Sequence, residues 1–277
     1  AARGSIRPMD PRLHELRPHP GAAHVAASIR RHMEQSEILT SHEKCGRVQD
    51  PYSLRCVPQV HGAFRDALRH FCDVVSREIN AVTDNPIVFE DEAVSGGNFH
   101  GAPLALTLDY IAIALADLAN ISERRTYLLL AGEDDLPKLL MQDTGLNSGF
   151  MIPQYTAAAL VNECKVLATP ASVDSIPTSL GQEDHVSMGA TAALKAFEVV
   201  DRVETVLAIE MMCAAQAIDY RAPLQPGRGP RAAHAVIRRR IPHAEQDRHF
   251  GADIQTAVAL LREDEQLRKV ASLGYGR

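Results

Sequence analysis

The sequence predicts an all-α protein built as a bundle of long helices, and three observations support this prediction. The chain has 277 residues, of which 45% are hydrophobic, so it is long enough to bury a large core. Aromatic residues make up only 5% and tryptophan is absent, so alanine and aliphatic side chains must fill that core. Alanine favours helix and is depleted in strands. Long stretches with apolar residues at steps of three and four supply the helices themselves.

Helical stretches alternate with polar, turn-rich segments along the chain. Residues 1–21 contain four prolines and are predicted to form an extended arm. A central helical bundle is predicted over 22–222, followed by a region of small, charge-laced helices over 223–277. Within the bundle, helices are expected at 22–38, 59–80, 104–131, 154–167 and 186–220, with a short extended segment at 87–89. The last helix would be roughly 50 Å long, so its apolar faces are expected to need partners from other subunits.

Composition argues against several classes of protein. The formal net charge of −6 offers no field for attracting a phosphate backbone, so nucleic acid is not an expected partner. The apolar stretch 104–118 contains two aspartates and is too short for a bilayer, so no membrane span is expected. The five cysteines and scattered histidines lack metal-binding spacing, which predicts reduced thiols, no metal site and a cytoplasmic location.

One polar segment before a helix combines Gln49, Tyr52 and Arg55. A guanidinium can hold a carboxylate in a bidentate fork, and a nearby phenol can transfer a proton. The three side chains are therefore candidates for binding a small anion beside a proton-transfer group. Because short motifs often match by chance, an alternative is that Arg55 pairs with Asp50 and Tyr52 merely caps a helix.

Two further polar segments also precede long helices. The first holds Gly96 and Gly97, which permit positive φ, followed by Phe99. The second holds Glu183 directly before the helix expected at 186–220, where the helix dipole favours carboxylates. Alone, these could be an ordinary turn, a core anchor and a helix cap.

Taken in order, six segments resemble the histidine ammonia-lyases of the aromatic amino-acid lyase family, within the fumarase/aspartase-like helical superfamily. They are ELRPHPG, SHEKCGRVQDPYSLRC, NAVTDNPIVF, SGGNFHGAP, LNSGFMIPQYTAAAL and PASVDSIPTSLGQEDHVSMG. The resemblance extends from about Gly4 to Phe250. Because several motifs occur in the same order, it is far more specific than any one of them.

The resemblance implies that L-histidine is converted to trans-urocanate and ammonia in a homotetramer with shared pockets. It implies that Arg55 holds the substrate carboxylate and Tyr52 is catalytic near the amino group. Gln49 would hydrogen-bond nearby and Phe99 would pack by the ring. Glu183 would face the imidazole, as a base or as an orienting group. A carboxylate suits an imidazole N–H better than a phenyl ring, which favours histidine over other aromatic substrates.

The chain departs from the family pattern in one respect. The family's electrophile, 4-methylideneimidazol-5-one, forms from an internal Ala-Ser-Gly, and the nearest strings here are Val94-Ser95-Gly96 and Asn147-Ser148-Gly149. The chain is therefore expected to be a fragment that follows the electrophile-bearing region and is inactive alone. The alternatives are a non-catalytic helical scaffold or regulatory paralogue, or a lyase or aminomutase for another aromatic amino acid.

Overall fold

The computed structural model of the protein describes residues 1–43 and 46–274. Lys44 and Cys45, which belong to one of the six family-like segments, and residues 275–277 lie outside the described part. The arm at 1–21 is not extended throughout, because it contains a helical turn at Arg7–Met9 and helix α1 at Pro11–Glu15. The Asp10 side chain caps α1, and a proline in the first turn suits a helix start.

The helix expected at 22–38 is two helices. Helix α2 spans Pro20–His32, and helix α3 spans Glu37–Ser41. The break lies at Gln35, whose φ of 61° lies in the left-handed region. The Ser36 side chain then accepts a hydrogen bond from the Leu39 backbone N–H and starts the second helix. The single-helix prediction was wrong because apolar spacing continued across this break.

Four long helices form the bundle. After the one-turn helix α4 (Tyr52–Arg55), these are α5 (Val57–Ile79), α6 (Ala102–Leu130), α7 (Met151–Leu167) and α8 (Gly189–Asp219). Strands β1 (Ile87–Phe89) and β2 (Glu92–Val94) form a small antiparallel hairpin between α5 and α6. The predicted extended segment at 87–89 is thus confirmed. Helices α5 and α7 run antiparallel to α6 and α8, as the cross-helix side-chain contacts show.

Helix α6 is the centre of the bundle and packs against α5, α7 and α8. Its length and apolar composition satisfy the requirement for a membrane span, although the shorter stretch 104–118 does not. Its buried polar groups are paired within the protein. Asp109 accepts from the Ser172 backbone N–H at 2.7 Å, and Glu123 accepts from the Gln154 side chain at 2.7 Å. Such pairing offsets the cost of burying these groups.

Helix α8 begins three residues later than predicted, because Met188 has a φ of 52° and a left-handed residue cannot belong to a right-handed helix. At its other end, Asp219 accepts hydrogen bonds from His234, Arg238 and His243. Helices α9 (Arg228–Arg238), α10 (Gly251–Glu263) and α11 (Glu265–Ser272) complete the chain. They pack on α2, α8 and one another, and the division at residues 22 and 223 stays a prediction.

Candidate active site

The Gln49, Tyr52 and Arg55 side chains line one surface pocket of about 630 Å³, at the N-terminal end of α5. The Arg55 guanidinium carbon lies 4.8 Å from the centre of the Tyr52 ring. The Arg55 Nε is buried and has no hydrogen-bond acceptor among the described residues. The Tyr52 ring is 70% exposed. A guanidinium thus lies against a phenol at the wall of this pocket, where its positive charge suits an anion.

The structural alternative for this segment does not hold. Asp50 accepts a hydrogen bond from the Ser5 backbone N–H at 2.6 Å, and its carboxylate lies 3.9 Å from Arg47 rather than pairing with Arg55. Tyr52 is the first residue of α4 and not its cap, since the preceding Pro51 holds that position. The segment thus leaves the Arg55 and Tyr52 side chains to face the pocket.

Two residues of the same pocket were not identified from sequence. Arg7 and Arg17 line it together with Arg55, so three arginines contribute to the wall of one cavity. Both arginines lie far along the chain from Gln49, Tyr52 and Arg55, so no motif in the sequence linked them to this pocket. Arg17 does lie in the segment ELRPHPG, which resembled the family without a role for any of its residues.

Phe99 lies in the loop between β2 and α6. Its ring is 57% exposed, so it is not a core anchor. The Asn85 side chain holds this loop by accepting from the Ser95 hydroxyl at 3.2 Å and the Gly96 backbone N–H at 2.8 Å. Neither Gly96 nor Gly97 has a positive φ, so the expected use of glycine freedom does not occur here.

Glu183 is exposed at the end of a tight loop before α8. Its carboxylate accepts a hydrogen bond from the Thr178 hydroxyl at 2.5 Å. Two residues further on, the His185 carbonyl accepts from the His100 Nε2 at 3.1 Å. The two imidazole rings stack with centroids 5.7 Å apart and planes 2° from parallel. Contacts of these residues therefore join the loops of Phe99 and Glu183.

The candidate residues form two groups at opposite ends of the bundle. Gln49, Tyr52 and Arg55 lie at the N-terminal end of α5, whereas the Phe99 and Glu183 loops precede α6 and α8 at the other end. Helix α5 has 23 residues. At 1.5 Å per residue it separates the groups by roughly 34 Å. The two groups do not meet within one chain.

The two strings nearest to Ala-Ser-Gly, at 94–96 and 147–149, form ordinary turns that side chains elsewhere in the chain hold in place. Ser95 and Gly96 both donate to Asn85, and the backbone N–H groups of Ser148 and Gly149 donate to the Asp247 carboxylate at 2.7 Å each. The residues present therefore do not fit the role of the family's electrophile. Over residues 1–43 and 46–274, no group of three or more candidate ligands could hold a metal ion.

Comparison with known proteins defines the class. The family model described as aromatic amino acid lyase matches residues 1–239. The chain therefore belongs to the aromatic amino acid lyase family. It is 51% identical to a protein named histidine ammonia-lyase from Myxococcus xanthus, over 97% of this chain and 54% of that relative. A second protein of that name, from Gloeobacter violaceus, is 53% identical over 98% of this chain and 53% of its own length.

Solved structures show the same architecture. Histidine ammonia-lyase from Trypanosoma cruzi superposes with a TM-score of 0.89 at 41% identity, covering 98% of this chain and 52% of that chain. Tyrosine aminomutase from Streptomyces globisporus superposes with a TM-score of 0.91 at 34% identity, covering 100% and 57%. The all-α, fumarase/aspartase-like fold is thus confirmed. The chain spans about half the length of the curated relatives that it matches.

Proposed function

We propose that this chain forms the substrate-binding part of a histidine ammonia-lyase, which converts L-histidine to trans-urocanate and ammonia. The observation that carries the proposal is the Arg55 guanidinium, held against Tyr52 in a pocket with a buried, unpaired Nε. The two relatives that bear this name support it over nearly the whole chain.

Each predicted residue has a role that its chemistry supports. Arg55 binds the substrate carboxylate, with Arg7 and Arg17 adding positive charge around the pocket. Tyr52 lies beside Arg55 and exchanges a proton near the amino group, while Gln49 donates a hydrogen bond nearby. Phe99 packs against the ring of the substrate. Glu183 accepts the imidazole N–H and so favours histidine over a phenyl side chain.

We also propose that the working pocket forms between copies of the chain, in a homotetramer. The roughly 34 Å between the two groups of residues supports this, since no amino acid reaches from one group to the other within a chain. Exposed apolar side chains on α6 and α8, including Tyr110, Leu194 and Phe197, support a subunit contact along these helices. We propose a cytoplasmic location, which four free cysteines in the described part support.

The electrophile must come from elsewhere, because this chain holds no Ala-Ser-Gly. We therefore expect no urocanate from the purified chain alone. We expect urocanate absorbance once the chain is joined to the half of the Myxococcus xanthus relative that it does not match, here termed the completed enzyme. Urocanate from the chain alone would overturn this assignment of the electrophile. A folded but inactive completed enzyme would count against the proposed activity.

Glu183 tests the choice of substrate. Glu183→Gln replaces the carboxylate with a neutral amide, so the hydrogen bond to the imidazole loses its charge assistance. We expect kcat/KM for histidine to fall about 10- to 100-fold in the completed enzyme. Glu245→Gln makes the same change at an exposed carboxylate in the loop between α9 and α10, which holds none of the candidate residues, and serves as the control. Equal kinetics for the two variants would contradict the role of Glu183.

The absent tripeptide also favours a second candidate, a non-catalytic scaffold or regulatory paralogue. The two candidate functions predict different activity for the completed enzyme. A lyase would produce urocanate, whereas a scaffold would assemble and produce none.

A further inference from the structure

The Glu183 loop is closed by a pair of backbone hydrogen bonds. The Thr178 N–H donates to the Glu183 carbonyl at 2.9 Å, and the Glu183 N–H donates to the Thr178 carbonyl at 3.3 Å. The intervening Ser179, Leu180 and Gly181 all have positive φ, at 51°, 56° and 89°. Positive φ costs conformational energy for Ser179 and Leu180, although not for Gly181, and the paired backbone hydrogen bonds hold the loop in this conformation.

The Thr178 side chain crosses the same loop. Its hydroxyl donates to Glu183 Oε2 at 2.5 Å, the length typical of a hydroxyl bound to a carboxylate. Glu183 is otherwise an exposed side chain with three rotatable bonds, which would sample many positions. The bond fixes one carboxylate oxygen, and the other accepts no hydrogen bond from the described residues.

His100 fixes this loop relative to the Phe99 loop. The Ala102 backbone N–H donates to His100 Nδ1 at 3.3 Å, so the proton of the neutral ring is on Nε2. That proton is donated to the His185 carbonyl at 3.1 Å. Glu183 is therefore held twice, at its carboxylate by Thr178 and through its loop by His100.

We propose that Thr178 is a positioning residue, which holds the Glu183 carboxylate so that its free oxygen receives the imidazole N–H of the substrate. This inference rests on the proposed function, and it extends that function to a residue that does not touch the substrate. The hydroxyl acts through Glu183, so its loss should have no effect where Glu183 is absent.

Thr178→Val removes the hydroxyl and keeps the shape of the side chain. In the completed enzyme it is expected to lower kcat/KM for histidine about tenfold, mainly by raising KM, while Thr178→Ser keeps the parent value. In a Glu183→Ala background, Thr178→Val should cause no further loss. Thr156→Val is the matched control, because that exposed hydroxyl bonds only to a carbonyl of its own helix.

A loss that persists in the Glu183→Ala background would assign Thr178 a merely structural role and overturn the inference. Equal kcat/KM for Thr178→Val and the parent would also overturn the inference. The chain alone provides a second readout, the carboxyl ¹³C resonance of Glu183, which should move in Thr178→Val and not in Thr178→Ser. An unmoved resonance overturns the inference whether or not the completed enzyme is active. A moved resonance in an inactive completed enzyme refutes the proposed function and keeps the contact.

Discussion

The separation of the candidate residues predicts that two inactive variants restore activity when they assemble together. Tyr52→Phe alters one group and Glu183→Gln alters the other, at opposite ends of α5. Both side chains are exposed, so neither change disturbs the packed core. Each variant alone, in the completed enzyme, is expected to lose most of its histidine turnover. Together they should regain part of it, because each variant still contributes one intact group.

The size of the recovery follows from the geometry. Helix α5 places the groups roughly 34 Å apart, so in the proposed homotetramer a pocket takes Tyr52 from one chain and Glu183 from another. If equal amounts assemble at random, the two contributions are independent. About one quarter of the pockets then hold both native side chains. If both groups came from one chain, the same mixture would hold no native pocket.

The assay is urocanate absorbance from the co-expressed variants, purified through a different tag on each. Co-expressing the double variant with the parent is the control. Shared pockets again predict about one quarter of the parent activity per chain, whereas pockets within one chain predict about one half. Activity of the mixed variants no higher than that of either alone, with one half in the control, would refute the argument from separation.

Two further predictions concern stability. Burial, and then the nearby Arg125, lower the pKa of His61 to about 4, while Glu210 opposes this. Between pH 6.5 and 4 the unfolded chain therefore binds a proton that the folded chain does not, so the free energy of unfolding decreases as the pH is lowered, by up to about 3 kcal/mol. This loss is absent above pH 6.5, and His61→Gln should remove it in urea titrations; equal slopes for both proteins would contradict it. Gly62→Ala should cost about 1–3 kcal/mol in the same titrations, because a Cβ would lie 2.4 Å from the Ala22 nitrogen on α2. Gly97→Ala meets nothing within 4 Å and should have no such effect, and equal stability of the two variants would count against close packing of α2 on α5.

Periodicity alone was enough to predict the bundle helices, because apolar residues at steps of three and four mark a buried face wherever the chain is regular. Helix α5 was expected at 59–80 and lies at Val57–Ile79. Periodicity failed at single residues in unusual conformations. Gln35 breaks one predicted helix, and Met188 moves the start of another to a later residue. Neither glutamine nor methionine favours a positive φ, so nothing in the sequence indicated either break. Prolines in the arm were interpreted as helix breakers, although a proline in the first turn fits a helix start.

The candidate site was predictable as residue types and not as an arrangement. The sequence indicated that Arg55 and Tyr52 act together, because a guanidinium follows a phenol by three residues in one polar segment. It could not show that Arg7 and Arg17 join them, since that contact depends on how the arm folds back. Nor could it show that Thr178 bonds to Glu183, because two of the four residues between them, Ser179 and Leu180, adopt a left-handed conformation that their types disfavour.

The bundle also explains why the two groups can keep a fixed separation. Helices α6 and α8 run parallel and are joined near one end by Lys195, which lies 3.6 Å from Asp109. Nearer the other end, Glu210 accepts from Ser122 at 2.6 Å and from two nitrogens of Arg125. A slip of one helical turn moves one helix by 5.4 Å and would break both sets of contacts, leaving buried charges unpaired. The same pairs that let α6 carry polar groups in the core thus set the register of the helices. In this way the core fixes the separation on which the proposed sharing of pockets between copies of the chain depends.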